Sequence, residues 1–506
     1  MYHKVWRTKL LGDILIMHET NRILTVINST NRFFFTNLQK CRSTIYALSS
    51  GQGKCGVAVV RVSGDEARCA CFKMTNIQKL ESRKALFKTI YDPVTKEVID
   101  KGLCLWFPAP NSFTGEDTVE FHVHGSLAVI KALMSALSKL NFVAALPGEF
   151  TKRAFYNKKM DLTKAEGLAD LIHAETDYQR RQALLQAHGV LNKLYLNWRN
   201  ILQNCIANFE AYIDFSEEDN IDNVILENSN IFLKQLLEDI QRHLSDGRKG
   251  EILRNGVKTV IIGEPNVGKS SLLNHLLQKN AAIVSSIAGT TRDVIEVSTN
   301  ISGYPVVMVD TAGITNDSKN EIELEGIRRA KEYIEIADFI ILAADSTKYI
   351  SSSMKFKDYI NSYISSLNLK ISMKKTKHFM VVMNKIDLLD DEGKQLVRNE
   401  NVVMLSCKTK EGLSNLIKSI SSHLEQLCGN PSADNPAITQ IRYRNHLTQC
   451  LYHLQKYFEI INFPEYDVAV AVEEIRLAMK ELGKITGHVT PDEILNIIFT
   501  KFCIGK

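Results

Sequence analysis

No run of 18 or more consecutive apolar residues occurs in this 506-residue sequence, so no segment qualifies as a membrane-spanning helix. No Cys-x-x-Cys pair occurs either. The ten cysteines are scattered, and Cys69 and Cys71 are a single residue apart. That distribution argues against a disulfide framework and reads as reduced thiols in a non-secreted protein. A strong excess of one charge is also missing. The formal net charge is +5, which permits contact with RNA without demanding it. What is present is the 45% apolar and 24% charged content of a globular chain, at a length that exceeds one core and implies about three domains.

The first 43 residues differ from the rest. They carry seven basic residues (Lys4, Arg7, Lys9, Arg22, Arg32, Lys40, Arg42) against two acids (Asp13, Glu19), with short apolar and hydroxyl-rich stretches between them. That composition resembles a mitochondrial targeting segment, although Met17 is a second candidate start. From Thr44 the pattern becomes strand-like. Gly56–Arg61, Leu103–Phe107 and the alternating Thr118–His124 read as strands, and Leu127–Leu140 has helical spacing. A mixed α and β domain over 44–160 follows. Residues 161–255 lose strand character, and Thr163–Gln186 and Ile231–His243 are helical by apolar spacing. Strand–loop–helix alternation over 256–428 predicts a mostly parallel sheet. Within it, Ser351–Ser372 reads as an extended, mobile loop-and-helix excursion. After the linker Gly429–Pro436, helical periodicity returns over 429–506. A helical region interrupted by an α/β domain implies an insertion, with both helical parts forming one bundle. The fold class is therefore multidomain, α/β plus all-α.

Five motifs stand in order inside the α/β region. Gly263-Glu-Pro-Asn-Val-Gly-Lys-Ser270 fits the phosphate-loop pattern G-x-x-x-x-G-K-S/T after a strand, the context that confirms it. Gly263 and Gly268 let the backbone turn its N–H groups toward phosphates, Lys269 supplies a positive charge, and Ser270 offers a hydroxyl to Mg²⁺. Gly289-Thr-Thr-Arg-Asp293 offers Thr291 to the same ion and to the γ-phosphate. Asp310-Thr-Ala-Gly313 ends a strand where Asp310 can hold a metal-bound water. Asn384-Lys-Ile-Asp387 decides the base. The Asp387 carboxylate can accept from the ring N–H and amino group of guanine, whereas adenine would leave it unpaired. Ser406-Cys-Lys408 would close over the base. The expected GTP site is thus Asn266, Val267, Gly268, Lys269, Ser270 and Ser271, then Ser285, Ser286, Ile287, Ala288, Gly289, Thr290 and Thr291. Asp310, Thr311, Ala312, Gly313, Asn384, Lys385, Asp387, Ser406, Cys407 and Lys408 complete it. Ile314 follows Gly313 where a water-orienting glutamine could stand, so hydrolysis must take that group from elsewhere.

At the C-terminus, Thr490-Pro-Asp-Glu493 is a capping box with proline at the first helical position. An apolar stripe of Ile494, Leu495, Ile497, Ile498 and Phe502 follows, so the last four residues should be held rather than frayed. Phe502-Cys-Ile-Gly-Lys506 is read together with Asn111-Ser-Phe-Thr-Gly-Glu-Asp117, Pro147-Gly-Glu-Phe150, Arg153-Ala-Phe155 and Lys159-Met-Asp-Leu162. On these motifs the chain closely resembles the MnmE/TrmE family of tRNA-modification GTPases over about residues 44–506, and the N-terminal extension suggests its mitochondrial branch.

The resemblance implies a folate-binding N-terminal domain that drives homodimerisation, a helical domain, and an inserted Ras-like GTPase domain. It implies work with an FAD-dependent MnmG-type partner, the FAD lying on that partner; this chain shows no flavin-binding fingerprint. The pair would modify carbon 5 of the wobble uridine of tRNA with a one-carbon unit from a tetrahydrofolate, in the mitochondrial matrix. By the resemblance Arg61, Glu120, Lys159 and Lys506 match folate positions, and Cys503 matches the family's terminal cysteine as a catalytic candidate. Asn266 matches a potassium ligand, with Ser285, Ile287 and Thr290 supplying further oxygens. Glu323 matches a glutamate that orders the attacking water, with Glu321 as the alternative. Two other readings stay open. A ribosome-assembly GTPase would carry an RNA-binding module after the GTPase domain. A stand-alone folate-dependent methyltransferase would turn over without a partner.

Overall fold

The computed structural model describes residues 43–215, 223–279, 282–283, 296–309, 333–367, 378–400, 402–489, 492–500 and 502–505. They fall into two compact units: the chain up to Met160 together with Leu495–Lys506, and Asp161–Ile494.

The first unit is built on six strands: β1 (Ile45–Leu48), β2 (Cys55–Ser63), β3 (Leu86–Tyr91), β4 (Val98–Phe107), β5 (Thr118–Gly125) and β6 (Val143–Ala144). Their order is β3-β4-β5-β2-β1-β6, antiparallel except for β1 with β6. Alternation along β2 and β5 sends Val60, Val62, Val119 and Phe121 to one face. There they pack on Ala70 and Met74 of the helix Ala67–Thr75 and on Leu133 and Leu137 of the helix Leu127–Ser138. Each such fully buried side chain contributes on the order of 1.5–3 kcal/mol. Ser126 caps the second helix by accepting from the Val129 N–H at 3.2 Å. Cys71 and Cys104 lie next to each other in this core, with Cα atoms 7.2 Å apart. The packing of helix on sheet brings these two side by side, and the seven other described cysteines are free.

From Leu495 on, the last helix, Asp492–Thr500, belongs to this first unit. Phe499 lies between Phe155 and Phe502, with ring centroids 6.0 Å from each. Lys152 donates to Asn496 Oδ1 at 2.6 Å. By packing, the chain from Leu495 groups with the first unit.

In the second unit, helices that lie before residue 256 and after residue 428 in the chain share one core. Tyr195 and Leu202 of Val190–Phe215 and Leu236 of Asn223–Leu244 meet Tyr443 and Leu454 of Ile441–Ile461 and Ile475 of Val468–Thr486. The stretch Thr163–Gln186, helical by its spacing, forms two helices: Leu162–His173 and Asp177–Ala187. Thr176 and Gln179 form a reciprocal capping box that starts a new helix there.

The inserted sheet contains β7 (Val257–Ile262), β8 (Ala282–Ile283), β9 (Glu296–Ile301), β10 (Tyr304–Val309), β11 (Phe339–Asp345), β12 (His378–Asn384) and β13 (Val403–Met404), in the order β13-β12-β11-β7-β10-β9-β8. Its five-strand centre is parallel, and β9 and β8 add antiparallel edges. The central strands are apolar on both faces because helices cover both. The stretch expected as a mobile excursion is, over its described part, a packed helix. Phe356–Ser366 buries Tyr359, Ile360, Tyr363 and Ile364 at spacings of one, three and one, a helical stripe facing the sheet. Among the described residues no helix is long and apolar enough to cross a membrane.

Candidate nucleotide site

The phosphate loop leaves the central strand β7 at Gly263. Its φ is +157°, and an added Cβ would come within 2.3 Å of the Ala343 carbonyl on β11. Gly268, φ +96°, is equally constrained, since a Cβ there would meet Asn384 Nδ2 at 2.3 Å. Asn266 takes the left-handed region, φ +64°, which asparagine tolerates better than most residues, and it stands exposed on the rim. Lys269 reaches back across the loop. Its Nζ donates to the carbonyls of Gly263 at 2.9 Å and Glu264 at 2.8 Å. Burial lowers its pKa, with Glu264 acting in the opposite sense. The helix Lys269–Lys279 begins at this point and aims its N-terminal N–H groups at the loop, with Ser270 exposed in the first turn.

Two residues outside the motifs hold the loop's entry. The Tyr363 hydroxyl accepts from the Glu264 N–H at 2.7 Å and donates to the Ala343 carbonyl at 2.9 Å. Lys348 pairs with the Glu264 carboxylate at 2.5 Å. Neither follows a spacing rule. The only trace of Tyr363 in the sequence is its place on an amphipathic stripe.

The base side forms at the ends of β12 and β13. Asn384 is buried, and its amide joins the two halves of the site. Nδ2 donates to the Val267 carbonyl at 2.6 Å, and Oδ1 accepts from the Cys407 N–H at 3.1 Å. Ser406, also buried, donates its hydroxyl to Asp387 Oδ1 at 2.6 Å and accepts from the Thr409 N–H at 3.1 Å. One carboxylate oxygen of Asp387 is thereby oriented, and the half-buried side chain has a second oxygen to offer. Lys385 pairs with Asp345 at 2.7 Å. Burial pushes the Cys407 thiol up to about 11, so it stays protonated, and its carbonyl receives His275 Nε2 at 2.8 Å. Lys408 is exposed, and Ser271 is exposed on the first helical turn.

Asn266, Val267, Gly268, Lys269, Ser270, Asn384, Lys385, Asp387, Ser406 and Cys407 are thus gathered at one end of the sheet. Ser285 to Thr291, Asp310 to Gly313, Glu321, Glu323 and Lys506 lie outside the described residues. The arrangement can take an anion on the loop and a planar base with a pair of donors at Asp387.

In the first unit, Arg61 and Glu120 face each other across β2 and β5 and pair at 2.9 Å. His122 Nε2 lies 3.2 Å from the other Glu120 oxygen. The Arg61 guanidinium stands 5.2 Å from the Phe113 ring centre and 5.8 Å from that of Phe150. Lys159 is exposed and donates to the Pro110 carbonyl at 3.0 Å. Cys503 is exposed, and the Gly505 carbonyl accepts from Ser49 Oγ at 2.9 Å, which ties the tail down. An added Cβ at Gly505, φ +93°, would meet the Leu48 carbonyl at 2.1 Å.

Comparison with known proteins covers both units. The model of the GTP-binding protein TrmE N-terminus matches residues 44–159, and that of the MnmE helical domain matches 162–503. The mitochondrial 5-taurinomethyluridine-tRNA synthase subunit GTPB3 of Danio rerio is 45% identical over 92% of this chain and 93% of its own length. The human protein of the same name is 43% identical, with the same coverage of both chains. The tRNA modification GTPase MnmE of Rickettsia prowazekii (strain Madrid E) is 44% identical over 92% of this chain and 100% of its own. The chain belongs to the MnmE/TrmE family of tRNA-modification GTPases.

Proposed function

We propose that this chain binds and hydrolyses GTP, and that its turnover serves the modification of carbon 5 of the wobble uridine in mitochondrial tRNA. The observation that carries the nucleotide reading is the Asn384 amide, which locks the phosphate loop to the loop that presents Asp387. Lys269 would exchange its two carbonyl partners for phosphate oxygens, and the helix behind it would add its positive end. Asp387 would accept from guanine while Ser406 holds its other oxygen still.

Ser270 and Asn266 present hard oxygen donors on the loop, a chemistry that fits Mg²⁺ and K⁺. Ser270 with Thr291 would hold the first, and Asn266 with Ser285, Ile287 and Thr290 the second. When bound, the cations would neutralise charge that develops on the phosphates. Glu323 would order the attacking water. In the first unit a charged Arg61–Glu120 pair flanked by Phe113 and Phe150 suits a flat heteroaromatic with a polar edge. That supports a tetrahydrofolate derivative held by Arg61, Glu120, Lys159 and Lys506, with Cys503 near the transferred carbon. Homodimerisation through the first domain, an FAD-bearing MnmG-type partner and a matrix location complete the reading. The names of the zebrafish and human relatives favour a taurinomethyl group over carboxymethylaminomethyl. The ribosome-assembly alternative loses its ground because family models for tRNA-modification proteins cover both flanking regions.

Two measurements test this. Mass spectrometry of mitochondrial tRNA nucleosides after loss of the protein should show the modified uridine gone; its persistence refutes the tRNA reading. Asp387→Asn should shift preference from GTP toward xanthosine triphosphate by several kcal/mol, on the order expected when a buried acceptor becomes a donor. Unchanged preference refutes the guanine assignment.

A further inference from the structure

β11 ends beside the base-binding loop, and its last residue pairs in register with Asn384. Asp345 is buried, and its two oxygens have different partners. Oδ1 accepts from the Thr347 N–H at 3.0 Å and the Thr347 hydroxyl at 2.7 Å, capping the helix Ser346–Ser352. Oδ2 accepts from Lys385 Nζ at 2.7 Å. The next residue, Ser346, is also buried and donates its hydroxyl to the Asn384 carbonyl at 2.7 Å. The strand end therefore grips both the backbone of Asn384 and the side chain of Lys385. Lys385 needs a grip. Its φ is +66°, a left-handed conformation that costs a residue with a Cβ about 1–2 kcal/mol. That single left-handed residue turns the chain from β12 into the short 3₁₀ turn Ile386–Leu388, which carries Asp387.

We propose that Asp345 is a positioning residue for guanine recognition, acting through Lys385 to hold the turn that aims Asp387. This rests on the reading that Asp387 receives the base. Burial raises the Asp345 pKa, but the bonds from Lys385 and Thr347 outweigh it and keep the carboxyl below its ordinary value. It therefore remains charged, as an ion pair with Lys385 requires.

The two roles of Asp345 can be separated. Asparagine caps helices as well as aspartate, so Asp345→Asn keeps Oδ1 for Thr347. It turns an NH₂ toward the Lys385 ammonium and sets donor against donor. Asp345→Ala loses the cap as well. The experiment titrates full-length protein with GDP and with inorganic pyrophosphate, and records thermal unfolding without ligand. For Asp345→Asn the expected result is GDP affinity down about tenfold with pyrophosphate affinity unchanged, and a lower melting temperature because a buried ion pair loses one partner. Asp345→Ala should lose affinity and melt earlier. If Asp345→Asn binds GDP like the unmutated chain, Asp345 is a cap only and the proposal fails. If GDP and pyrophosphate affinity fall together with the melting temperature, the role is general stability and the proposal also fails. Asp387→Asn run alongside separates the two levels: retained guanine preference there overturns the underlying reading, whereas a switched preference with a silent Asp345→Asn overturns only this inference.

Discussion

Replacing Tyr363 with phenylalanine removes one oxygen and little else. The ring lies in the core under the sheet and would stay there, stacked with Tyr359 at 6.0 Å. What goes is the acceptor of the Glu264 N–H and the donor to the Ala343 carbonyl. Each bond contributes a net ~0.5–1.5 kcal/mol, and leaving the buried partners unsatisfied raises the total to about 1–3 kcal/mol. Both partners belong to the protein, so most of that loss falls on folding stability. The part expressed in binding is the loosening of the loop entry, where Gly263 already sits against Ala343. A tenfold change in affinity corresponds to about 1.4 kcal/mol, so the loss in GTP and GDP affinity should lie between roughly twofold and tenfold. Guanosine, which has no phosphate for the loop, should bind the variant and the unmutated protein alike. Calorimetric titration of both proteins with GDP and guanosine checks this. Equal GDP affinities in the two proteins, or an equal loss for guanosine, would show that the Tyr363 hydroxyl does not organise the phosphate loop.

GTP hydrolysis should run faster in K⁺ than in Na⁺ at equal ionic strength, and Asn266→Ala should remove that response while nucleotide binding persists. Steady-state phosphate release in matched chloride salts decides it, and equal rates in the two salts count against the cation mechanism. Deleting Cys503–Lys506 should abolish tRNA modification and leave GTP hydrolysis largely intact, since the tail packs in the first unit. Full modification by the truncated protein would remove the tail from the site. Acid should destabilise the bundle through His243, whose pKa burial pulls down to about 4, with the nearby Asp246 opposing. The folded pKa lies below the ordinary 6.5, so the unfolded chain binds more protons between pH 6.5 and 4. Stability therefore falls as pH drops through that window, by up to about 3 kcal/mol. Urea unfolding at pH 7 and pH 5 should show a smaller difference for His243→Gln than for the unmutated chain; an identical difference would assign the acid sensitivity elsewhere.

The nucleotide motifs are legible in sequence because each is short and local. A strand must end, a glycine must allow close approach, and a lysine or aspartate must sit a fixed number of residues later. Val257–Ile262 with Gly263 and Gly268, and Phe379–Met383 with Asn384 and Asp387, needed no knowledge of what packs beside them. The same locality made the alternating strands β2 and β5 and the helix Leu127–Ser138 readable. Contacts between segments far apart in the chain were decided by the tertiary structure. Helical spacing alone does not say what a stripe packs against, and only the tertiary structure sets Phe499 against Phe155. Spacing also does not say whether a helix is loose or buried, so Phe356–Ser366 read as an excursion when its tyrosine closes the phosphate loop. Asp345 and Lys385 are 40 residues apart, and only the parallel register of β11 and β12 makes them neighbours. A hydrogen bond acts over about 3 Å of space, and spacing along the chain fixes that distance only within a single turn, hairpin or strand end.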